Sequence, residues 1–224
     1  MFFLVLISLA FYMIFLLSSR AMIISSIAIS ILYFLFEIII LKNNFIKSLI
    51  YFLPLLISFT FFQTNYNQID NFSIQERMST LNTEDESVNT RIRFYKHGVN
   101  HVIENPIVGL GIGNWKIKSI DYDSAKIFSY IVPYQLHNDF LEIGAELGVL
   151  GMFLYILFYF ERLWHFMINI FKKRSIYHAI LGLSVLVVFI DSNINFPFYR
   201  PIIIITTMFL FAYSNLKFNY YENN

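Results

Sequence analysis

The chain contains no cysteine, and this absence excludes disulfide bonds, thiolate metal sites and cysteine nucleophiles. Charge is also scarce, since only 14% of the residues are Asp, Glu, Lys or Arg and the formal net charge is +1. No basic surface of the kind that binds nucleic acid is indicated, so we expect no nucleic-acid partner. Hydrophobic residues make up 57% of the chain, which is more apolar surface than one soluble core can bury. The composition therefore predicts a polytopic membrane protein.

Six hydrophobic runs approach the roughly 20 residues that cross about 30 Å of hydrocarbon. They are residues 2–19, 21–36 with an extension to 41, 48–63, 140–160, 176–190 and 202–216. The first run lacks a basic start and a small-residue cleavage site, and a second run follows at once, which favours a span over a cleaved signal peptide. We predict three spans in residues 1–63, a long polar segment over 64–139, three spans in 140–216 and a tail at 217–224.

The lysines and arginines near the span ends predict the orientation. Alternate connections carry Lys42, Lys47, Arg162, Lys172, Lys173, Arg174 and Lys217. These connections should be cytoplasmic, and both termini with them. The long polar segment and the turn at residues 191–200 should then lie outside.

Within the outer segment we expect a loosely held start at residues 79–89 and then an amphipathic helix. Asn89 or Thr90 can cap it, and Pro106 ends it. At helical spacing one face is apolar and carries Ile92, Tyr95, Val99, Val102 and Ile103. The other face is polar and carries Arg93, His97, Asn100 and Glu104. Such a helix would rest on the outer leaflet or on the transmembrane bundle, with Arg91 in its first turn near the headgroups.

A second helix should begin near Leu136 and continue into the fourth span. One face carries the acidic residues Asp139, Glu142 and Glu146, which favour a helix amino terminus, although Glu146 can instead pair with an arginine. Another face carries His137, Leu141, Gly144, Gly148 and Gly151. Small residues in such a track let another helix approach closely, so we expect His137 to be held against a neighbouring helix. The glycines at 109, 111 and 113 do not form a dinucleotide fingerprint; we expect a tight turn that brings backbone amides near the substrate or the bilayer.

Together these segments resemble a known family. The residues that carry the resemblance are Asn89-Thr90-Arg91, Tyr95, 105–115, 137–141 and 146–151, with Ser18-Ser19-Arg20 after the first run. They are similar to the core of the O-antigen ligase and O-antigen polymerase superfamily. The resemblance implies an all-α, GT-C-like bundle, here of about six transmembrane helices, with one long, partly helical extracytoplasmic loop. Family members usually have about twice as many spans, so we expect the amino-terminal half to be missing; Tyr95 also stands where tryptophan is common.

The resemblance also implies a function. It indicates a glycosyltransferase of the bacterial cytoplasmic membrane that acts at the outer face on a glycan linked to undecaprenyl diphosphate. Its partners would be this donor, a glycan or lipid acceptor and membrane lipids, and it would need no metal or nucleotide cofactor. The catalytic histidine maps onto His137, and the diphosphate-binding arginines map onto Arg20 and Arg91. Secondary candidates in the same region are Arg93, Asn138, Glu146 and Arg200.

The chemistry is consistent with these roles without the resemblance. Guanidinium groups bind phosphate oxygens in pairs and stay charged, so Arg20 and Arg91 suit a diphosphate leaving group. A neutral imidazole such as that of His137 can take a proton from an acceptor hydroxyl near neutral pH.

Plainer interpretations stay open. Arg20 can end a span at the headgroups, Arg91 can be a surface residue, and His137 can cap a helix. His97 and His101 have a spacing that suits a metal ion, but no third ligand is evident. A polysaccharide transporter or flippase, and an inactive fragment of a larger transferase, are the alternative functions. Polymerase and ligase are not separated by the sequence.

Overall fold

The computed structural model describes residues 2–17, 20–66, 86–124 and 134–222. Within these ranges every regular element is helical and no strand occurs. The helices are α1 (Phe2–Leu16), α2 (Arg20–Ile39), α3 (Phe45–Ser48), α4 (Leu53–Tyr66), α5 (Glu86–Glu104), α6 (Trp115–Asp123), α7 (Asp139–Lys173), α8 (Ile176–Ile194) and α9 (Pro201–Glu222), with 3-10 turns at Leu49–Phe52 and Pro197–Tyr199. The predicted start of the outer segment, up to residue 85, and the stretch 125–133 lie outside the described residues.

In the described part of the chain, four helical segments are long and apolar enough to cross a membrane. They are Met22–Ile39, Phe45–Asn65, Asp139–Lys173 and Ile176–Ile194. Two shorter apolar helices, Phe3–Leu16 and Pro201–Tyr213, bring the number of apolar helices in the described residues to six. The predicted all-α membrane bundle is confirmed.

The chain divides into two compact units. The first comprises Met1–Asp85 and Ile168–Leu183. In it the apolar helices α1 and α4 pack against each other, and the buried Ser58 hydroxyl donates to the Ser8 carbonyl at 2.6 Å. Such a bond satisfies a polar group that hydrocarbon would leave without a partner. The second unit, Glu86–Met167 and Ser184–Asn224, contains the residues of the predicted outer site except Arg20.

Helix α5 differs from its prediction in two ways. It begins at Glu86, ahead of the predicted caps, so Arg91 lies in the second turn and not in the first. Its buried face carries Phe94, Gly98 and His101. On the predicted apolar face Ile92, Val99 and Ile103 are exposed, and Ile103 is 70% exposed. Tyr95 and Val102 on the same predicted face are half-buried. The prediction assigned the apolar residues to one face correctly but did not foresee that the mixed face packs within the unit.

Helix α7 is longer than the predicted fourth span. It continues to Lys173, so Arg162 lies within the helix and not in a connecting loop. The stretch from residue 149 to Lys173 is roughly 38 Å long at 1.5 Å per residue, which suffices to cross about 30 Å of hydrocarbon. Before that stretch the helix is interrupted at Gly148, whose φ of 74° and ψ of −178° are not helical. The expected smooth glycine track is therefore broken in its middle.

Candidate active site

The interruption in α7 is bridged by the glycine-containing loop that follows α5. Three backbone hydrogen bonds join them: Leu110 N–H to the Ala145 carbonyl (3.0 Å), Gly111 N–H to the Glu146 carbonyl (2.8 Å) and Val149 N–H to the Pro106 carbonyl (2.8 Å). A break in a helix leaves backbone groups without helical partners, and the loop supplies them. The amides of residues 110 and 111 were expected near substrate or bilayer. They are instead bonded to α7.

The close approach explains why glycine stands on both sides. A Cβ atom at Gly148 would lie 2.5 Å from the Ile107 carbonyl oxygen. A Cβ atom at Gly109 would lie 2.6 Å from the Glu146 carbonyl group. Both residues also have positive φ, which glycine adopts without strain. The glycine-containing loop at residues 106–113 and Gly148 of α7 therefore meet in one contact. At Gly148 the predicted small-residue track packs against this loop, where a neighbouring helix had been expected.

The three acidic residues at the start of α7 bind three different backbone segments. Each accepts one backbone N–H: Asp139 from Phe198 (3.1 Å), Glu142 from Leu136 (2.8 Å) and Glu146 from Trp115 (3.0 Å). All three side chains are buried. Besides any effect of the helix dipole, each carboxylate thus binds a separate backbone segment, and Glu146 pairs with a backbone amide where an arginine had been suggested. With Tyr199 they line a cavity of about 480 Å³ whose other walls are mostly apolar.

His137 lies two residues before the start of α7, next to Leu136, whose amide Glu142 binds. Its φ of 56° places it in the left-handed region, which is uncommon for a residue other than glycine. The imidazole packs edge-on against Phe196, with 4.9 Å between ring centroids. Its Nδ1 atom is buried and has no hydrogen-bond partner among the described residues. The histidine thus reaches the turn after α8, and one of its ring nitrogens is not committed to a bond within the described part of the protein.

Hydrogen bonds fix the backbone on both sides of this histidine. The Tyr95 hydroxyl of α5 donates to the His137 carbonyl at 2.9 Å. The Asn138 side chain accepts from the Leu141 amide at 3.0 Å, as a helix cap does. Its Nδ2 donates to the Asn193 carbonyl near the end of α8 at 3.1 Å. Asn138, a secondary candidate from the sequence, therefore has a structural partner at each end of its amide.

Two arginines lie within electrostatic range of the imidazole. Burial lowers the pKa of His137, and the positive charges of Arg91 and Arg200 lower it further. The Arg200 guanidinium stands over the Phe196 ring at 5.1 Å, the ring against which His137 packs. Three predicted site residues are thus brought together in the second unit. Arg20 begins α2 in the first unit, and its side chain lies outside the described residues.

Arg93 has a carboxylate partner. Its Nε lies 2.8 Å from Asp123 Oδ1, and its Nη2 donates to Oδ2 at 3.0 Å. The side chain of Asp123 is 5% exposed, so this is a largely buried two-point pair between α5 and α6. Paired in this way, the Arg93 guanidinium fixes the helix that carries Arg91.

The two histidines on α5 contact the same region. His97 Nε2 lies 3.6 Å from Asp123 Oδ1, and His101 Nδ1 lies 3.0 Å from the Tyr122 hydroxyl. Burial lowers the pKa of His101. Among the described residues no group of three or more His, Asp or Glu side chains is placed to hold a metal ion.

The sequence reasoning missed two contributors to this site. Tyr95 was noted only for its place in the family pattern and on the apolar face of its helix, and Asp123 was not singled out. Tyr95 contacts a backbone carbonyl distant in sequence, which leaves no motif. Asp123 could have been found as a charge opposite Arg93 only if the packing of α6 on α5 had been known.

The arrangement suits proton removal beside an anion. An imidazole with a lowered pKa is neutral at neutral pH and can accept a proton, while two guanidiniums attract phosphate oxygens. The family model described as O-antigen ligase matches residues 3–156. No curated protein and no solved structure matches the chain significantly. The match covers more than half of the chain and includes Arg91, His137 and the interruption at Gly148. The chain therefore belongs to the O-antigen ligase family of membrane proteins.

Proposed function

We propose that the protein is a glycosyltransferase of the bacterial inner membrane that transfers or polymerises glycan carried on undecaprenyl diphosphate. The observation that carries this proposal is the position of His137, a half-buried imidazole that packs against Phe196 with its Nδ1 atom buried, and whose pKa is lowered by burial and by the positive charges of Arg91 and Arg200. Its substrates are the lipid-linked donor and a hydroxyl-bearing glycan or lipid acceptor.

In the proposed reaction an acceptor hydroxyl oxygen attacks the anomeric carbon of the donor sugar. The bond between that carbon and the diphosphate oxygen breaks, and its electron pair leaves with the diphosphate. The hydroxyl proton passes to a ring nitrogen of His137. General-base assistance of this kind contributes roughly 10² to 10⁴ in rate.

The arginines stabilise the charge that develops on the leaving group. Arg91 lies on α5 and Arg200 follows α8, so the diphosphate would be held from two elements. Paired guanidinium donors match phosphate oxygens better than an ammonium group does. The family resemblance assigns Arg20 as a further diphosphate ligand.

The proposed reaction takes place on the outer face, with both termini in the cytoplasm. Because the chain contains no cysteine, single cysteines report topology without background. In spheroplasts a membrane-impermeant maleimide should label Tyr134→Cys, which is half exposed near His137, and not Lys172→Cys until the membrane is permeabilised. Labelling of Lys172→Cys and not of Tyr134→Cys in spheroplasts would reverse the proposed orientation.

Complementation of a strain that lacks its polysaccharide ligase or polymerase tests the activity. The wild-type chain should restore glycan on a gel, His137→Ala should abolish it, and Arg91→Lys should reduce it at least tenfold because a point charge replaces paired donors. His165→Ala, a histidine in the membrane-spanning part of α7, is the matched control and should behave as wild type. Membrane amounts of each variant are measured by immunoblot.

The gel pattern separates the two versions of the activity. A polymerase produces a ladder of lengths that differ by one repeat unit. A ligase transfers glycan chains to a new acceptor and leaves the distribution of their lengths unchanged. Normal glycan from His137→Ala at wild-type membrane amounts would refute the role of this histidine as the base.

A further inference from the structure

The backbone at the candidate base needs an external constraint. His137 has a φ of 56°, and left-handed backbone is disfavoured for residues that carry a Cβ atom. A residue released from such a conformation moves to one of the commoner regions and takes its side chain with it. The position of the imidazole therefore depends on whatever holds its peptide group.

One side chain from another helix contacts that peptide group. The Tyr95 hydroxyl donates to the His137 carbonyl at 2.9 Å, and the Asn193 carbonyl oxygen lies 3.4 Å from the Tyr95 hydroxyl oxygen. The Asn193 carbonyl also accepts from the Asn138 side chain at 3.1 Å. The Tyr95 hydroxyl thus stands at the meeting point of α5, the start of α7 and the end of α8.

Tyr95 also lies one helical turn from a proposed donor-binding group. Arg91 and Tyr95 are four positions apart on α5, so their side chains emerge on the same face of that helix, about 5 to 6 Å apart at Cβ. The positive charge of Arg91 acts on the Tyr95 hydroxyl and on His137. The short helical segment 91–95 therefore carries the positive charge of Arg91 and, through Tyr95, holds the backbone of His137.

We propose that Tyr95 is a positioning residue for the transfer reaction: its hydroxyl holds the His137 carbonyl and thereby sets the distance between the imidazole and Arg91. The proposal rests on the proposed function, because it assigns Tyr95 to the same site. This role requires no contact between Tyr95 and donor or acceptor. Its effect on the reaction passes through the backbone of His137.

Tyr95→Phe tests this, because it removes the hydroxyl and keeps the ring. Tyr122→Phe is the matched control, since that hydroxyl also bonds to a histidine, His101 at 3.0 Å, but away from the candidate base. Transfer rates are measured for purified protein in liposomes over a range of lipid-linked donor concentrations. Tyr95→Phe should lower kcat at least tenfold with donor KM within about twofold, and Tyr122→Phe should change neither by more than twofold.

The pH profile separates positioning from general destabilisation. With its hydroxyl anchor lost, the His137 backbone relaxes, the imidazole moves away from Arg91 and Arg200, and its pKa rises towards the ordinary value. The acid side of the kcat profile should therefore shift to higher pH in Tyr95→Phe and not in Tyr122→Phe. A loss of rate with an unshifted profile, or equal losses in both variants, would overturn the proposal.

A second readout does not depend on turnover. In a background where the other four histidines are replaced by glutamine, the pH dependence of diethyl pyrocarbonate modification reports the His137 pKa directly. Tyr95→Phe should raise that pKa whether or not the chain transfers glycan. An unchanged pKa overturns the positioning role, whereas a raised pKa in a chain without transfer activity overturns only the proposed function.

Discussion

Gly148→Ala should lower the free energy of unfolding of the second unit more than Gly113→Ala, because Gly113 also has a positive φ but no close contact among the described residues. Two costs combine at this position. The φ of 74° and ψ of −178° fall in a region that is essentially restricted to glycine, which costs about 1–3 kcal/mol for another residue. The new Cβ atom would also lie 2.5 Å from the Ile107 carbonyl oxygen, so the loop must withdraw.

Withdrawal of the loop breaks the three backbone hydrogen bonds that join it to α7. At roughly 1 kcal/mol each, and with the strain added, the expected loss is about 4 kcal/mol or more. Gly113→Ala is the matched control, because Gly113 has a φ of 77° but a methyl group added there would meet nothing within 4 Å among the described residues. It should cost only about 1–2 kcal/mol, from the backbone strain alone.

Thermal unfolding in detergent, followed by size-exclusion chromatography of a fluorescent fusion, measures the difference. Gly148→Ala should lower the melting temperature at least twice as much as Gly113→Ala. Equal melting temperatures for the two variants would show that the contact between the loop and the helix interruption contributes nothing. The close-approach explanation of the two glycine motifs would then be wrong.

Two further predictions concern charge. Asp123→Ala leaves Arg93 without its carboxylate and should lower the free energy of unfolding by about 2–3 kcal/mol, which is measured as a lower melting temperature. Asp121→Ala, which removes one partner of the exposed pair with Lys118, is the control and should leave the melting temperature unchanged. Similar melting temperatures for the two variants would contradict a structural role for the buried pair. Arg200→Gln removes a positive charge that lowers the His137 pKa, so that pKa should rise. The proposed base should then stay protonated, and inactive, up to a higher pH. When the transfer rate is measured between about pH 5 and pH 8, the acid limb of the rate profile of this variant should shift to higher pH. A profile that coincides with that of the wild type would exclude this electrostatic effect.

The helices of the membrane part could be predicted because long apolar runs have few other stable forms in hydrocarbon. Their ends could not be predicted as well. The charge of Arg162 was interpreted as part of a connection beyond the fourth span, yet Arg162 forms an ion pair with Glu161 at 2.7 Å within a helix that continues to Lys173. A helix can carry paired charges within its length, so charge alone does not mark its last residue.

In the candidate site, the sequence indicated which residue types are chemically suited, and the structure adds what holds them. His137 and Arg91 were predicted as site residues from the resemblance and from their chemistry, and their roles stay predictions. The contacts of Tyr95 and Asp139 could not, because each bonds to a backbone group from a distant loop. Any residue can supply a carbonyl, and any residue but proline an amide, so such partners leave no pattern in the chain.

The bridge between residues 106–111 and 145–149 has a consequence for protein engineering. Each segment completes the main-chain bonding of the other, so neither has a stable conformation to keep when transplanted alone. Chimeras between relatives should therefore take both segments from the same parent. A swap that cuts between them would misfold whatever its effect on substrate specificity.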